Sequence, residues 1–145
     1  MLDRVFTSSV YAVHRGEVLL VNHKRQRAWV PPGGRMEPGE RPIETAVREI
    51  QEELGWKIDR DYRLAPQDPD AVAGTPAGLI AYEEHASQDQ GIHMNFAFAV
   101  LANHRNVVLC DEFTDVRWVS STAWSVDPVP VNVKQLVLKS LARFG

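Results

Sequence analysis

The chain has 145 residues, 44% apolar and 24% charged, with a formal net charge of −3, the make-up of one soluble globular domain over residues 1–145. Its longest apolar run, residues 96–102, is too short to cross a bilayer, and the N-terminus lacks the basic start and unbroken apolar core of a secretory signal. The acidic balance argues against a broad nucleic-acid surface, and a lone cysteine, Cys110, excludes an internal disulfide and fits a reducing compartment, the cytoplasm.

In chain order, residues 5–14 and 17–23 are apolar-rich runs around Arg15-Gly16, a hairpin pattern. A polar loop at 24–27 leads to Trp29 and Val30. Pro31, Pro32, Gly33 and Gly34 come next, and they predict a sharp turn rather than a regular helix or central strand. The clearest helix begins at Pro42, which suits the first helical position. Ile43, Ala46, Val47, Ile50 and Leu54 recur at three- and four-residue spacing to make one apolar face. Gly55 can take the left-handed conformation that closes it. Residues 57–64 hold a short strand, and 65–76 form a loop rich in proline and aspartate. Strands are expected at 79–85 and 92–103 around a polar turn at 87–91, with another at 107–110. A strand at 116–119 runs into Ser120-Ser121, a candidate cap for a short helical turn. Residues 133–144 close the chain as a second helix, apolar at Val133, Leu136, Val137, Leu141 and Phe144. This order predicts an α/β fold, a mixed sheet covered on both faces.

From Gly34 to Trp56 the sequence reads G-x5-E-x7-R-E-I-x-E-E-x-G-W. A chance match to its seven type-fixed positions has odds of about one in a million at average composition, so an ordinary exposed acidic helix does not account for it. Glu49, Glu52 and Glu53 stand at i, i+3 and i+4 and share one stripe of the helix. Two such charges about 5 Å apart repel by roughly 3 kcal/mol at an effective dielectric near 20. One helical ion pair returns only about 0.5 kcal/mol. Hard carboxylate oxygens suit magnesium, which keeps waters and shares substrate phosphates, and a bound divalent ion would admit an anionic substrate despite the negative chain.

These residues resemble the Nudix box, the motif of hydrolases acting on nucleoside diphosphates linked to another moiety. Trp56 departs from the aliphatic residue usual there and implies altered packing. The resemblance implies a three-layer α/β/α sandwich with a central mixed β-sheet and the box as loop–helix–loop. It implies Glu49, Glu52 and Glu53 as metal ligands. Arg48 would orient the catalytic glutamate, Glu40 would pair with Arg48, and Gly34 would offer its carbonyl to a metal. Glu49 is the first choice of general base and Glu53 the second. Glu112, six residues before Trp118, resembles a further metal ligand, with a solvated turn glutamate as the alternative. The activity implied is a magnesium-dependent pyrophosphohydrolase, with manganese able to substitute, acting on nucleoside triphosphates or nucleoside diphosphate-X compounds. A non-catalytic nucleotide sensor of the same fold and an RNA 5′-end pyrophosphohydrolase are the competing readings.

His23, Lys24, Arg25 and Arg27 could touch phosphate or base, and Trp29 could stack on a base or serve as core or lid. Arg27 and Trp29 are the candidate substrate contacts. His14, His85, His93 and His104 lack zinc-ligand spacing. Trp118 reads as packing, Trp124 has no assigned place, and the 65–76 loop hints at a substrate-side role. A small nucleotide is the expected partner, with no membrane and no nucleic acid; monomer and homodimer both stay open.

Overall fold

A computed structural model describes residues 3–87, 91–122, 124 and 126–145. The first strands, β1 (Arg4–His14) and β2 (Glu17–His23), form the expected hairpin. Arg15 and Gly16 both hold positive φ, 48° and 77°, the twist that suits a two-residue hairpin turn. Then come β3 (Trp29–Val30), β4 (Gly33–Arg35), α1 (Pro42–Leu54), β5 (Tyr62–Leu64), β6 (Leu79–Ser87), β7 (Gly91–Ala102), β8 (Phe113–Val119) and α2 (Val131–Phe144). Among the described residues the strands form one eight-stranded sheet with central order β3-β2-β1-β7-β5; β4 also pairs with β1, β6 with β7 and β8 with β2. β1 and β7 run parallel from Arg4↔Ile92 to Val13↔Leu101, and the remaining pairs are antiparallel. The sheet is mixed, as expected.

Strand alternation divides the interior in two. Tyr11, Val13, Val18, Leu20, Ala97 and Ala99 pack beneath α2 against Val133, Leu136 and Val137. Their neighbours Val10, Ala12, Leu19, Val21, Phe98 and Val100 pack beneath α1 with Ala46, Ile50 and Leu54. The result is an α/β/α sandwich. Burying each large aliphatic side chain in these layers contributes about 2 kcal/mol of transfer free energy. No helix among the described residues is long and apolar enough to cross a membrane.

α1 follows its sequence signals closely. Pro42 stands at the start, the Glu44 carboxylate accepts the Arg41 N–H at 2.8 Å, and Gly55 closes the helix at φ 73° by donating to the Gln51 carbonyl.

Three local expectations are corrected. Gly33 and Gly34 do join the sheet as part of β4, beside Ser9 and Ser8 of β1. A Cβ on Gly33 would lie 2.2 Å from the Ser8 carbonyl oxygen, so the missing side chain is what admits this approach. Residues 107–110 form no strand. Instead the Val108 and Cys110 amides donate to the Leu54 and Glu53 carbonyls at 2.9 and 3.1 Å, satisfying acceptors that a helix end leaves open. Among the described residues Ser120-Ser121 start no helical turn: residues 120–122 are bend or coil, 123 and 125 lie outside the described residues, and α2 is preceded by Pro130. Further on, the Pro128 carbonyl accepts the Trp29 N–H at 3.0 Å and ties the segment before α2 to β3. Residues 88–90, in the expected 87–91 turn, lie outside the described residues.

Candidate active site

α1 lays its second half against β4, which places the box residues where two chain segments meet. Arg48 is the hub. Its Nε donates to Glu40 Oε2 at 2.7 Å and its second terminal nitrogen to Glu40 Oε1 at 3.0 Å, a two-pronged bond. The same nitrogen donates to the Arg35 carbonyl at 2.9 Å, and the first donates to Glu49 Oε1 at 2.8 Å. Glu52 is a looser partner at 3.4 Å and is more than half exposed. Glu40 is held in turn by the Glu37 N–H at 2.8 Å and the Thr45 hydroxyl at 2.9 Å. Arg48 and these donors hold the Glu40 carboxyl down at about 2.

Sharing a stripe does not give the three glutamates one environment. Glu52 faces solvent, Glu49 is largely covered, and Glu53 is 4% exposed. The shared stripe expected from helical spacing therefore runs from solvent at Glu52 into the interior at Glu53. Glu53 is tolerated inside because the Gly33 N–H donates to its Oε1 at 2.8 Å. Gly34 touches Glu49 as closely: a Cβ there would stand 2.4 Å from the Glu49 carboxyl carbon. Each glycine thus lies against one carboxylate, Gly33 as a donor and Gly34 by lacking a side chain.

Burial raises the Glu49 carboxyl above its ordinary range against the opposing bond from Arg48. Burial likewise pushes Glu53 up to about 9, against the Gly33 N–H and with added repulsion from Glu49, Glu112 and Glu52. Glu112 is an exposed residue just before β8, and its charge reaches both. No three His, Cys, Asp or Glu among the described residues are already drawn together as a metal cluster. The donor chemistry nevertheless fits a hard divalent cation. Glu49, Glu52, Glu53 and Glu112 offer oxygens, Arg48 balances Glu49 alone of the two buried acids, and the groups acting on Glu53 among the described residues include no cation.

Arg27 and Trp29 do come together. They line a pocket of about 260 Å³ with Asn22, His23, Lys24, Thr114 and Asp127. Trp29 is a core residue packed beneath α2, with the Arg117 guanidinium 5.9 Å from its ring centre. Trp118 packs on the α1 side, and Trp124 joins the α2 core with Lys134 over its ring. The 65–76 loop is laced to itself, Gln67 donating to the Thr75 carbonyl, and tied to α2 by an Asp68–Arg143 ion pair. Sequence reasoning missed Gly33 as a donor and Thr45 as a support for Glu40. Thr45 lies three and four residues before Arg48 and Glu49, on their stripe, and that spacing was the available signal.

Known proteins resemble this chain in sequence and in fold. The chain is 28% identical over 120 residues to a Bacillus subtilis protein named "Putative 8-oxo-dGTP diphosphatase", covering 83% of this chain and 68% of that one. It is 55% identical over 42 residues to mouse diphosphoinositol polyphosphate phosphohydrolase 3-alpha, covering 28% of this chain and spanning only 26% of that relative. A NUDIX-family hydrolase from Clostridium perfringens superposes with a TM-score of 0.80 at 21% identity, over 97% of this chain and 98% of its own. A MutT protein from Methanosarcina mazei does so with a TM-score of 0.72 at 18% identity, over 98% and 95%; at these identities the likeness is one of fold. The NUDIX domain family model matches residues 4–136, almost the whole chain, and on that match the protein belongs to the Nudix hydrolase family.

Proposed function

We propose that residues 1–145 form one catalytic domain, a magnesium-dependent pyrophosphohydrolase of the cytoplasm that cleaves the phosphoanhydride of a nucleoside triphosphate or a nucleoside diphosphate-X compound. The observation that carries this is the buried Glu53, bonded to the Gly33 N–H and flanked by acids, with no cation acting on it among the described residues to stabilise its charged form. Glu49, Glu52, Glu53, Glu112 and the Gly34 carbonyl would hold the ions, and manganese would substitute. Bound magnesium would neutralise phosphate oxygens and acidify water.

The chain's own residues then divide the work. Glu49 is the general base: partial burial raises its proton affinity towards the working pH, and Arg48 fixes its direction. Glu53 is the second choice of base, because one oxygen is committed to the Gly33 N–H; it serves as a ligand. The water oxygen attacks phosphorus, its proton passes to Glu49, and the bridging P–O bond breaks with its electron pair leaving on the departing phosphate. Glu40 holds the guanidinium that steers Glu49. Arg27 and the polar rim beside Trp29 would meet the remainder of the substrate. A nucleotide is favoured by the Bacillus subtilis relative, whose likeness runs over 120 residues. The likeness to the diphosphoinositol enzymes is confined to 42 residues.

The test supplies magnesium with nucleoside triphosphates including 8-oxo-dGTP, nucleotide sugars, ADP-ribose, dinucleoside polyphosphates and triphosphorylated RNA. Turnover of a free nucleotide is expected. Folded protein that hydrolyses none of the panel, yet binds a nucleotide tightly, would instead be a sensor.

A further inference from the structure

We infer that Trp56 and His104 are positioning residues that clamp the 104–112 segment onto the end of α1 and thereby set Glu112 against Glu53. The inference rests on the ion-binding role given above to those two glutamates. Trp56 is 2% exposed, and its indole N–H donates to the Asn106 carbonyl at 2.6 Å. Its ring meets His104 edge-on, with centroids 5.6 Å apart. His104 Nδ1 accepts the Asn106 N–H at 3.0 Å, so its proton sits on Nε2 and is donated to Asp61 at 2.8 Å. Asp61 is anchored by the Lys57 N–H at 2.7 Å and by Arg60, and its carbonyl accepts the Asn103 N–H at 2.8 Å. Residues 103–106 are therefore tied to the turn that follows α1.

What this turn holds is the next stretch of chain. Val108 and Cys110 donate to the last carbonyls of α1, at Leu54 and Glu53, and the Glu112 carbonyl accepts the Lys24 N–H at 3.1 Å. Glu53 is thus fixed twice, by Cys110 at its backbone and by Gly33 at its carboxylate. Glu112 follows Cys110 by two residues. A plain core role for Trp56 needs its ring but not its N–H, and that separates the two accounts.

Trp56→Phe keeps most of the buried ring and removes the donor. His104→Ala removes the bonds to Asp61 and Asn106 and the ring contact with Trp56, all from a partly exposed residue, and serves if the first variant folds poorly. In the full chain without metal, both should speed hydrogen exchange at the Val108 and Cys110 amides about tenfold and leave Ile50 unchanged. Each should raise the calorimetric dissociation constant for Mn2+ about tenfold, the usual scale for groups that orient metal ligands. Glu112→Gln should also raise it, and Trp56→Phe in that background should add little, because both act through one carboxylate. Unchanged exchange at both amides overturns the clamp, and full additivity with Glu112→Gln overturns its route through Glu112. Wild-type protein that binds no Mn2+ defeats the ion-binding reading itself. Wild-type affinity kept by both variants overturns the positioning role alone.

Discussion

Gly34→Ala tests whether the Glu49 carboxylate must sit where it does. The added Cβ would lie 2.4 Å from the carboxyl carbon and 2.5 and 2.7 Å from its oxygens, where ordinary contact begins at 3.4 Å. Glu49 must therefore retreat by about 1 Å, the difference between 3.4 and 2.4 Å. The obstructing group is the tip of a flexible side chain, so the protein can yield. An off-rotamer side chain and a weakened bond to Arg48 together cost about 2 kcal/mol, a fall of about 4–8 °C in Tm for a chain of this size. The chemistry is less forgiving, since a 1 Å misplacement of a reacting group costs about 100-fold in rate. Gly33→Ala is the contrast. There the Cβ would meet the Ser8 oxygen at 2.2 Å and the Ser9 Cα at 2.8 Å, both backbone, and parting β1 from β4 costs about 3 kcal/mol or more. Calorimetry and steady-state kinetics on both variants give the answer. If Gly34→Ala keeps kcat within about threefold of wild type, the placement of Glu49 does not govern the reaction.

Other outcomes follow from the same geometry. Glu52→Gln and Glu53→Gln should each lower kcat by about 100-fold or more, and near-wild-type rates in both would remove them from the ion site. Without metal, Glu53→Gln should also flatten the pH dependence of stability. The folded carboxyl titrates at about 9 and the unfolded one near 4.3. Its contribution is thus full below the unfolded value and lost as pH rises through the folded one. Denaturation midpoints between pH 5 and 9 in EDTA, equal in slope for both proteins, would refute this. Glu40 has the opposite sign: held at about 2, it stabilises the fold above its unfolded value and ceases to as pH falls towards 2. Glu40→Gln should therefore blunt acid unfolding and, by loosening Arg48, reduce kcat more than Mn2+ affinity. EDTA should abolish turnover, and Mn2+ should restore it.

How far the site could be read in advance depended on the range of each interaction. α1 was legible because Pro42, the apolar spacing and Gly55 act within one turn of the residues they govern. The Arg48–Glu40 pair was legible only through the motif, since the partners lie on a loop and a helix. The unequal fates of Glu49, Glu52 and Glu53 were not legible at all. Helical spacing puts them on one stripe, but what covers each is decided by Gly33 and Gly34, and neither its neighbours nor its periodicity announces an amide that meets a glutamate twenty residues later. Residues 107–110 show the same limit from the other side. Their apolar, β-prone sequence satisfied its amides on the open carbonyls of α1 instead of on a strand, because a backbone N–H donates to whichever acceptor the fold brings near. Trp29 has a large ring that suits stacking on a base, yet tertiary packing draws it beneath α2. On the proposed function, nucleotide selection would fall to the residues that line the pocket with it, among them Arg27, Lys24, His23 and Asp127. Of these, Arg27→Ala should raise KM more than it lowers kcat, since it is an exposed cation that would meet ground state and transition state alike. A loss confined to kcat would move Arg27 from substrate binding to the reacting phosphate.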